Sequence, residues 1–156
     1  MHMRIIYLLL IIIWTTSCNV HERPIQYGSD DCDYCKMIIM DHRYGSELVT
    51  QKGKVYTFDA TECLIDFLYN NEEVSATARY LLVTPYTKPD HLIDATSATF
   101  LVSREMPSPM GAYLSAFPDR DIAAEFLREK GGDLYTWEAL YKDFRSIKRN
   151  AIQAHE

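Results

Sequence analysis

Two stretches of this chain repeat one local pattern 59 residues apart, and that repeat limits the folds open to it. In the first, residues 45–51 and 54–58 read as strands around a turn at Lys52 and Gly53. A short helix follows, with Asp59 or Thr61 as its expected N-cap and Leu64, Ile65, Phe67 and Leu68 as its apolar stripe. In the second, residues 99–102 and 112–117 read as strands. Pro118 and Asp119 then open a helix carrying Ile122, Ala123, Phe126 and Leu127, and Gly131 with Gly132 closes it. Shifting by 59 places Phe58 on Phe117 and Phe67-Leu68 on Phe126-Leu127. Residues 80–84 add a strand between the halves. Trp137, Leu140, Tyr141 and Phe144 recur at helical spacing, with Thr136 as a cap, and predict a helix closing the core. The expected fold is α+β: two small ββα-type modules, consistent with a duplication, and a C-terminal covering helix.

The N-terminus predicts export. Arg4 precedes an apolar run over residues 5–14, which is too short for a permanent bilayer span but suits a signal-peptide core. Thr15, Thr16 and Ser17 then lead to Cys18, as in a bacterial lipoprotein signal with Thr15 where Leu is usual. The expected organisation is a signal peptide over 1–17, a lipidated N-terminus and polar tether over 18–31, a domain over 32–145, and a disordered tail over 146–156. The net charge of −6, with no Lys/Arg cluster, argues against nucleic-acid binding.

Export changes the cysteine arithmetic. With Cys18 lipidated, Cys32, Cys35 and Cys63 remain, and three thiols cannot all pair. A free thiol in an oxidising compartment needs burial, a metal or a reductant to protect it. Cys63, beside the apolar stripe of the first helix, reads as a buried packing residue.

Soft atoms gather in residues 32–42, CDYCKMIIMDH. Cys32 and Cys35 are spaced for a reversible disulfide or a metal chelate. Thioredoxin-like chemistry wants a preceding strand, which is missing, and structural zinc wants a second ligand pair, also missing. Cys63, His42 or His91 are the residues available to complete a zinc site. Met37, two residues after Cys35, favours a softer ion, because thioether sulfur suits Cu(I). Met106 and Met110 bracket a loop stiffened by Pro107 and Pro109, and Gly111 allows a tight turn there. Met40 reads as core filler, His42 and His91 as surface residues, and Asp59, Glu62 and Asp94 as turn and cap residues. No Ser/His/Asp order, phosphate loop or poised carboxylate pair points to an enzyme.

At these residues the chain resembles the NosL family, lipoprotein copper chaperones for nitrous-oxide reductase. The resemblance rests on Cys32, Cys35 and Met37, on the Pro-Met-Gly loop at Met110, on the strand end at Tyr56-Thr57-Phe58-Asp59, and on the signal before Cys18. Where the family often has Gly between the second Cys and the Met, this chain has Lys36. The resemblance implies Cu(I) held by Cys32 and Met37 with Met110 from the second half, and Cys35 as a ligand or neighbour. It implies a pair of ββα-type modules similar to part of organomercurial lyase. It also implies an anchored, periplasm-facing chaperone that works with a membrane copper-transport or assembly complex and has nitrous-oxide reductase as its client. The alternatives from other classes are a thiol–disulfide oxidoreductase serving a copper-site cysteine and a zinc-stapled binding module.

Overall fold

The computed structural model describes residues 20–153, so the signal segment and Cys18 lie outside the described residues. Two antiparallel sheets carry the domain. The first has the order β2-β1-β3-β4, with β1 at Ser46–Thr50, β2 at Val55–Phe58, β3 at Ala78–Val83 and β4 at Ile93–Asp94. The second has the order β6-β5-β7, with β5 at Thr99–Val102, β6 at Leu114–Phe117 and β7 at Asp133–Thr136. The helices are α1 (Thr61–Asn70), α2 (Glu72–Ser75), α3 (Arg120–Lys130) and α4 (Trp137–Gln153).

The two halves share one topology. In each, the earliest strand is central, its hairpin partner lies on one side, and the strand that returns after the helix lies on the other. The shift of 59 carries the bounds of β2 onto those of β6 and the start of α1 onto the start of α3. Each unit is therefore ββαβ, one strand more than the sequence pattern predicts. The extra strand β7 is short and half-exposed, so it lacks the buried alternation that marks a strand locally. A parallel bridge between Pro85 and Ala116 joins the sheets, with the Tyr86 amide donating to the Ala116 carbonyl at 2.8 Å. Phe58, Leu64, Phe100, Leu114, Leu140 and Phe144 belong to one buried core drawn from both halves.

Local chemistry explains the helix ends. Asp119 caps α3 by accepting from the Ile122 amide at 2.9 Å. Gly132 ends that segment at φ 110°, where a Cβ would sit 2.1 Å from the Val102 carbonyl oxygen, so only glycine fits. The expected cap of α1 is corrected: its N-cap is Ala60, which offers no side-chain acceptor, while Asp59 and Thr61 are buried beside it.

Three further expectations change. The segment before Cys32 is no free tether from residue 20 onward. Ile25 and Tyr27 pack on the core, the Gly28 amide donates to the Ile39 carbonyl at 2.8 Å, and Arg23 pairs with Asp30 at 2.7 Å. Gly45 makes room for this crossing, since a Cβ there would meet Tyr27 Oη at 2.6 Å. The C-terminal tail is helical through Gln153, past the expected boundary at 145. Its inward stripe continues through Ile147 to the buried Ala151, and Lys148 binds Asp66 of α1 at 2.7 Å. Met40 is not core filler: Ile39 is fully buried and Met40 is 64% exposed. The Asp31–Ile38 bridge makes this segment extended, and side chains then alternate between faces.

Candidate metal centre

The site begins at the free edge of β2. Asp33 docks there through both backbone and side chain: its amide donates to the Thr57 carbonyl at 2.8 Å, and its carboxylate accepts from the Thr57 amide at 2.9 Å. This docking fixes the Cys32–Met37 turn at the end of the sheet, beside the first turn of α1. The turn is closed by the Lys36 amide donating to the Cys32 carbonyl at 3.0 Å and by the Cys32 amide donating to the Met37 carbonyl at 2.8 Å. Closing it this way forces Lys36 to φ 65°, the left-handed region that glycine adopts without strain. The Lys36 ammonium compensates in part by reaching back to the Asp33 carbonyl at 2.6 Å.

Three sulfurs meet at this corner. The Sγ atoms of Cys32, Cys35 and Cys63 all lie within 4.8 Å of one another, and all three thiols are free. Cys32 and Cys63 are fully buried, whereas Cys35 is half-buried and the most accessible of the three. Among the described residues, no imidazole or carboxylate shares this cluster.

The charge in the cluster is placed by its hydrogen bonds. The Cys32 thiol is pushed down to about 5, chiefly because the Cys63 thiol donates to its sulfur; burial opposes the shift, and backbone amides of Asp59, Cys35 and Tyr34 reinforce it. The Cys35 amide lies 3.4 Å from Cys32 Sγ. Cys63 is pushed strongly up, first because its proton is held by Cys32 and then by burial. Burial also raises Cys35. These shifts favour the thiolate at Cys32 and the protonated thiol at Cys35 and Cys63, and a cation that binds all three must displace protons.

The methionines are divided. Met37 is 53% exposed next to Cys35, so its thioether faces outward beside the entrance. Met110 is half-buried and packs against the same core as Cys32 and Cys63. Met106 is buried in a smaller cluster with Leu101 and Phe117. The loop bearing Met110 is held from the first half at two points. Tyr44 Oη donates to the Pro107 carbonyl at 2.9 Å, and the Ser108 hydroxyl donates to the buried Glu62 carboxylate. Glu62 is therefore more than a cap or turn residue: it is completely buried, and burial lifts its carboxyl to about 7. Asp94 is the expected turn residue, accepting from the Thr96 amide at 2.7 Å. His42 is exposed, stacks on Tyr27 at 4.0 Å and pairs with Asp90 at 2.5 Å, well placed for neither thiol chemistry nor the cysteine cluster.

Sequence reasoning placed Cys63 in the core, where it is, and missed that its thiol faces the other two. The available signal was the odd cysteine number, which requires some protection for the third thiol.

The chain is similar to known proteins in sequence and in fold. The NosL family model matches residues 25–144. The copper-binding lipoprotein NosL of Stutzerimonas stutzeri is 27% identical over 163 residues, covering 94% of this chain and 86% of its own length. The crystal structure of the copper chaperone NosL from Shewanella denitrificans superposes with a TM-score of 0.66 at 26% identity, over 77% of this chain and 95% of that one. With the match running from the N-terminal segment on the first sheet into the closing helix, the chain belongs to the NosL family.

Proposed function

We propose that this chain is a non-enzymatic, membrane-tethered chaperone that carries Cu(I) and passes it toward the copper centre of nitrous-oxide reductase. The observation that carries the reading is the convergence of free sulfurs at one corner of the domain, two of them buried and one half-exposed. Soft thiolate and thioether donors select Cu(I) over hard cations. Cys32 and Cys35 are the primary ligands, with Met37 and Met110 supplying thioethers from the entrance and from the second half. The copper-binding and chaperone roles named for the two relatives support the cargo.

Release needs a surface next to the metal. Tyr34, Met37, Ile38 and Met40 are exposed large apolar residues, all within the segment that carries the cysteines. A membrane copper-transport or assembly complex would dock there and take the ion by ligand exchange. Among the described residues no helix is long and apolar enough to cross a membrane. Tethering on the periplasmic side is assigned to lipid on Cys18, from the signal that precedes it and in line with the lipoprotein relative. More than one acyl chain is needed for stable anchoring.

The depressed Cys32 thiol also suits thiol–disulfide exchange. Its sulfur is fully buried, which hinders attack on a protein disulfide, so copper carriage is the better reading. An anaerobic Cu(I) titration of the full chain against a chromogenic chelator tests it. One tightly held ion per chain, lost in Cys32→Ser, is expected. Absence of Cu(I) binding combined with insulin-reducing activity would transfer the protein to the oxidoreductase class.

A further inference from the structure

We propose that Cys63 is the third ligand of an all-thiol, three-coordinate site with Cys32 and Cys35, built for thiophilic monovalent d10 ions, Cu(I) and Ag(I). This rests on the copper reading and changes its resting ligand set: the thioethers serve the entrance, and the ion sits on three thiolates.

The spacing suits a three-coordinate ion. With a thiolate–metal bond of about 2.3 Å, a planar three-coordinate ion holds its sulfurs about 4 Å apart. The three Sγ atoms fall within 4.8 Å of one another before any ion is considered. Closing the set asks for a shift of under about 1 Å, within the range of a thiol rotating about its χ1. The thiols come from two different elements, a turn docked on β2 and the first turn of α1, so the fold itself holds them together. No fourth His, Asp or Glu atom joins the group among the described residues, which disfavours a closed tetrahedral zinc site.

Cys63 does not behave as packing alone. A buried thiol used only as a small hydrophobe would face apolar neighbours. The sulfur of Cys63 instead lies within 4.8 Å of those of Cys32 and Cys35. The backbone around it is also suited to anionic sulfur. The Cys35 amide lies 3.4 Å from Cys32 Sγ and donates to it. Met37, in contrast, is more than half exposed, and a thioether in that position is a transient donor for an ion on its way in or out.

Entrance and retention are therefore separated. Cys35 and Met37 meet the ion at the surface, and Cys32 and Cys63 hold it beneath. A receiving protein would displace the ion from the Cys35 side. Each thiol that binds Cu(I) as a thiolate gives up its proton to solvent, and no electron moves.

The test uses the full chain with Cys18→Ser, so that only the three domain thiols remain, grown with selenomethionine in place of methionine. X-ray absorption at the copper edge then separates cysteine sulfur from methionine selenium. The expected result is one Cu(I) with three sulfur neighbours and no selenium shell. Two sulfurs with a selenium neighbour would overturn the proposal and leave the copper reading standing. No bound Cu(I) at all would remove the copper reading itself. In parallel, Cys63→Ala, checked for folding by circular dichroism, should lose Cu(I) affinity by at least the ~10–100-fold that even outer-shell changes cost a metal site. Unchanged affinity in a folded Cys63→Ala overturns the third ligand. The absorption result stands whether or not that variant folds.

Discussion

The Ser108 hydroxyl donates a hydrogen bond to the buried carboxylate of Glu62, and this contact ties the proline-methionine loop of the second half to the helix that carries Cys63. The same hydroxyl accepts from the Leu114 amide at 3.3 Å, so it also fixes the loop's return into β6. The other carboxylate oxygen of Glu62 is buried with no hydrogen-bond partner. Ser108→Ala would leave a fully buried carboxyl group without its side-chain partner. The expected cost is about 1–3 kcal/mol in unfolding free energy, read from urea midpoints. The variant should also lose Cu(I) to a competing chelator faster, because the helix that carries Cys63 is no longer tied to that loop. Stability equal to the wild type would show that the contact contributes nothing.

Glu47 gives the fold a pH dependence. It lies fully buried in the central strand β1, with one carboxylate oxygen unpartnered and the other receiving only the Arg23 amide at 3.4 Å. Burial lifts its carboxyl to about 7 from an ordinary 4.5, and Arg23 opposes this. The folded state then holds a proton that the unfolded state has released. Stability from this group is complete below pH 4.5 and declines as pH rises toward 7. It levels off above that, a loss on the order of 3 kcal/mol as an upper bound. Glu47→Gln should flatten the curve of unfolding free energy between pH 5 and 8, mostly by gaining at pH 8. A variant that keeps the full wild-type slope would assign the dependence to other groups, Glu62 first among them.

Lys36 sits where its φ of 65° favours glycine. The left-handed region costs an ordinary residue about 1–2 kcal/mol, while glycine gives back part of that through the entropy of the unfolded chain. Lys36→Gly should therefore be as stable as the wild type or more so, by up to about 1 kcal/mol. Lys36→Val, with a branched Cβ, should be clearly less stable. Denaturant titrations of the two variants decide it, and the reverse order would refute the turn geometry.

Cu(I) should raise the melting temperature, since an ion bound only by the folded state stabilises it by mass action. Met37→Leu conserves volume and should leave the apo melting temperature unchanged, as expected for a half-exposed side chain. It should slow the exchange of Cu(I) with a chelator. Met40→Leu, on the same exposed edge, serves as the control and should exchange at the wild-type rate. Equal rates in all three proteins would take Met37 out of the route.

Features that depend on near neighbours along the chain were legible before folding. Alternation and helical spacing marked β1, β2, β3, β5, β6, α1, α3 and the start of α4. Asp119 and Gly131-Gly132 marked the ends of α3, and the 59-residue repeat marked the two related halves. Cys32, Cys35 and Met37 announced a soft-metal turn because their spacing alone brings them together. Tertiary structure decided the rest, because packing between distant segments leaves no local period. Residues 20–31 look like a polar linker until Ile25 and Tyr27 find the core, and Met40 looks like filler until the Asp31–Ile38 bridge turns it outward. The helix stripe through Ile147 and Ala151 was present in the sequence but masked by the charged residues around it. Cys63 is the sharpest case. Thirty-one positions separate it from Cys32, and nothing in its immediate neighbours distinguishes a packed thiol from a facing one. The docking of Asp33 on the open edge of β2 brings those two sulfurs together, and that is a contact only the folded chain can make.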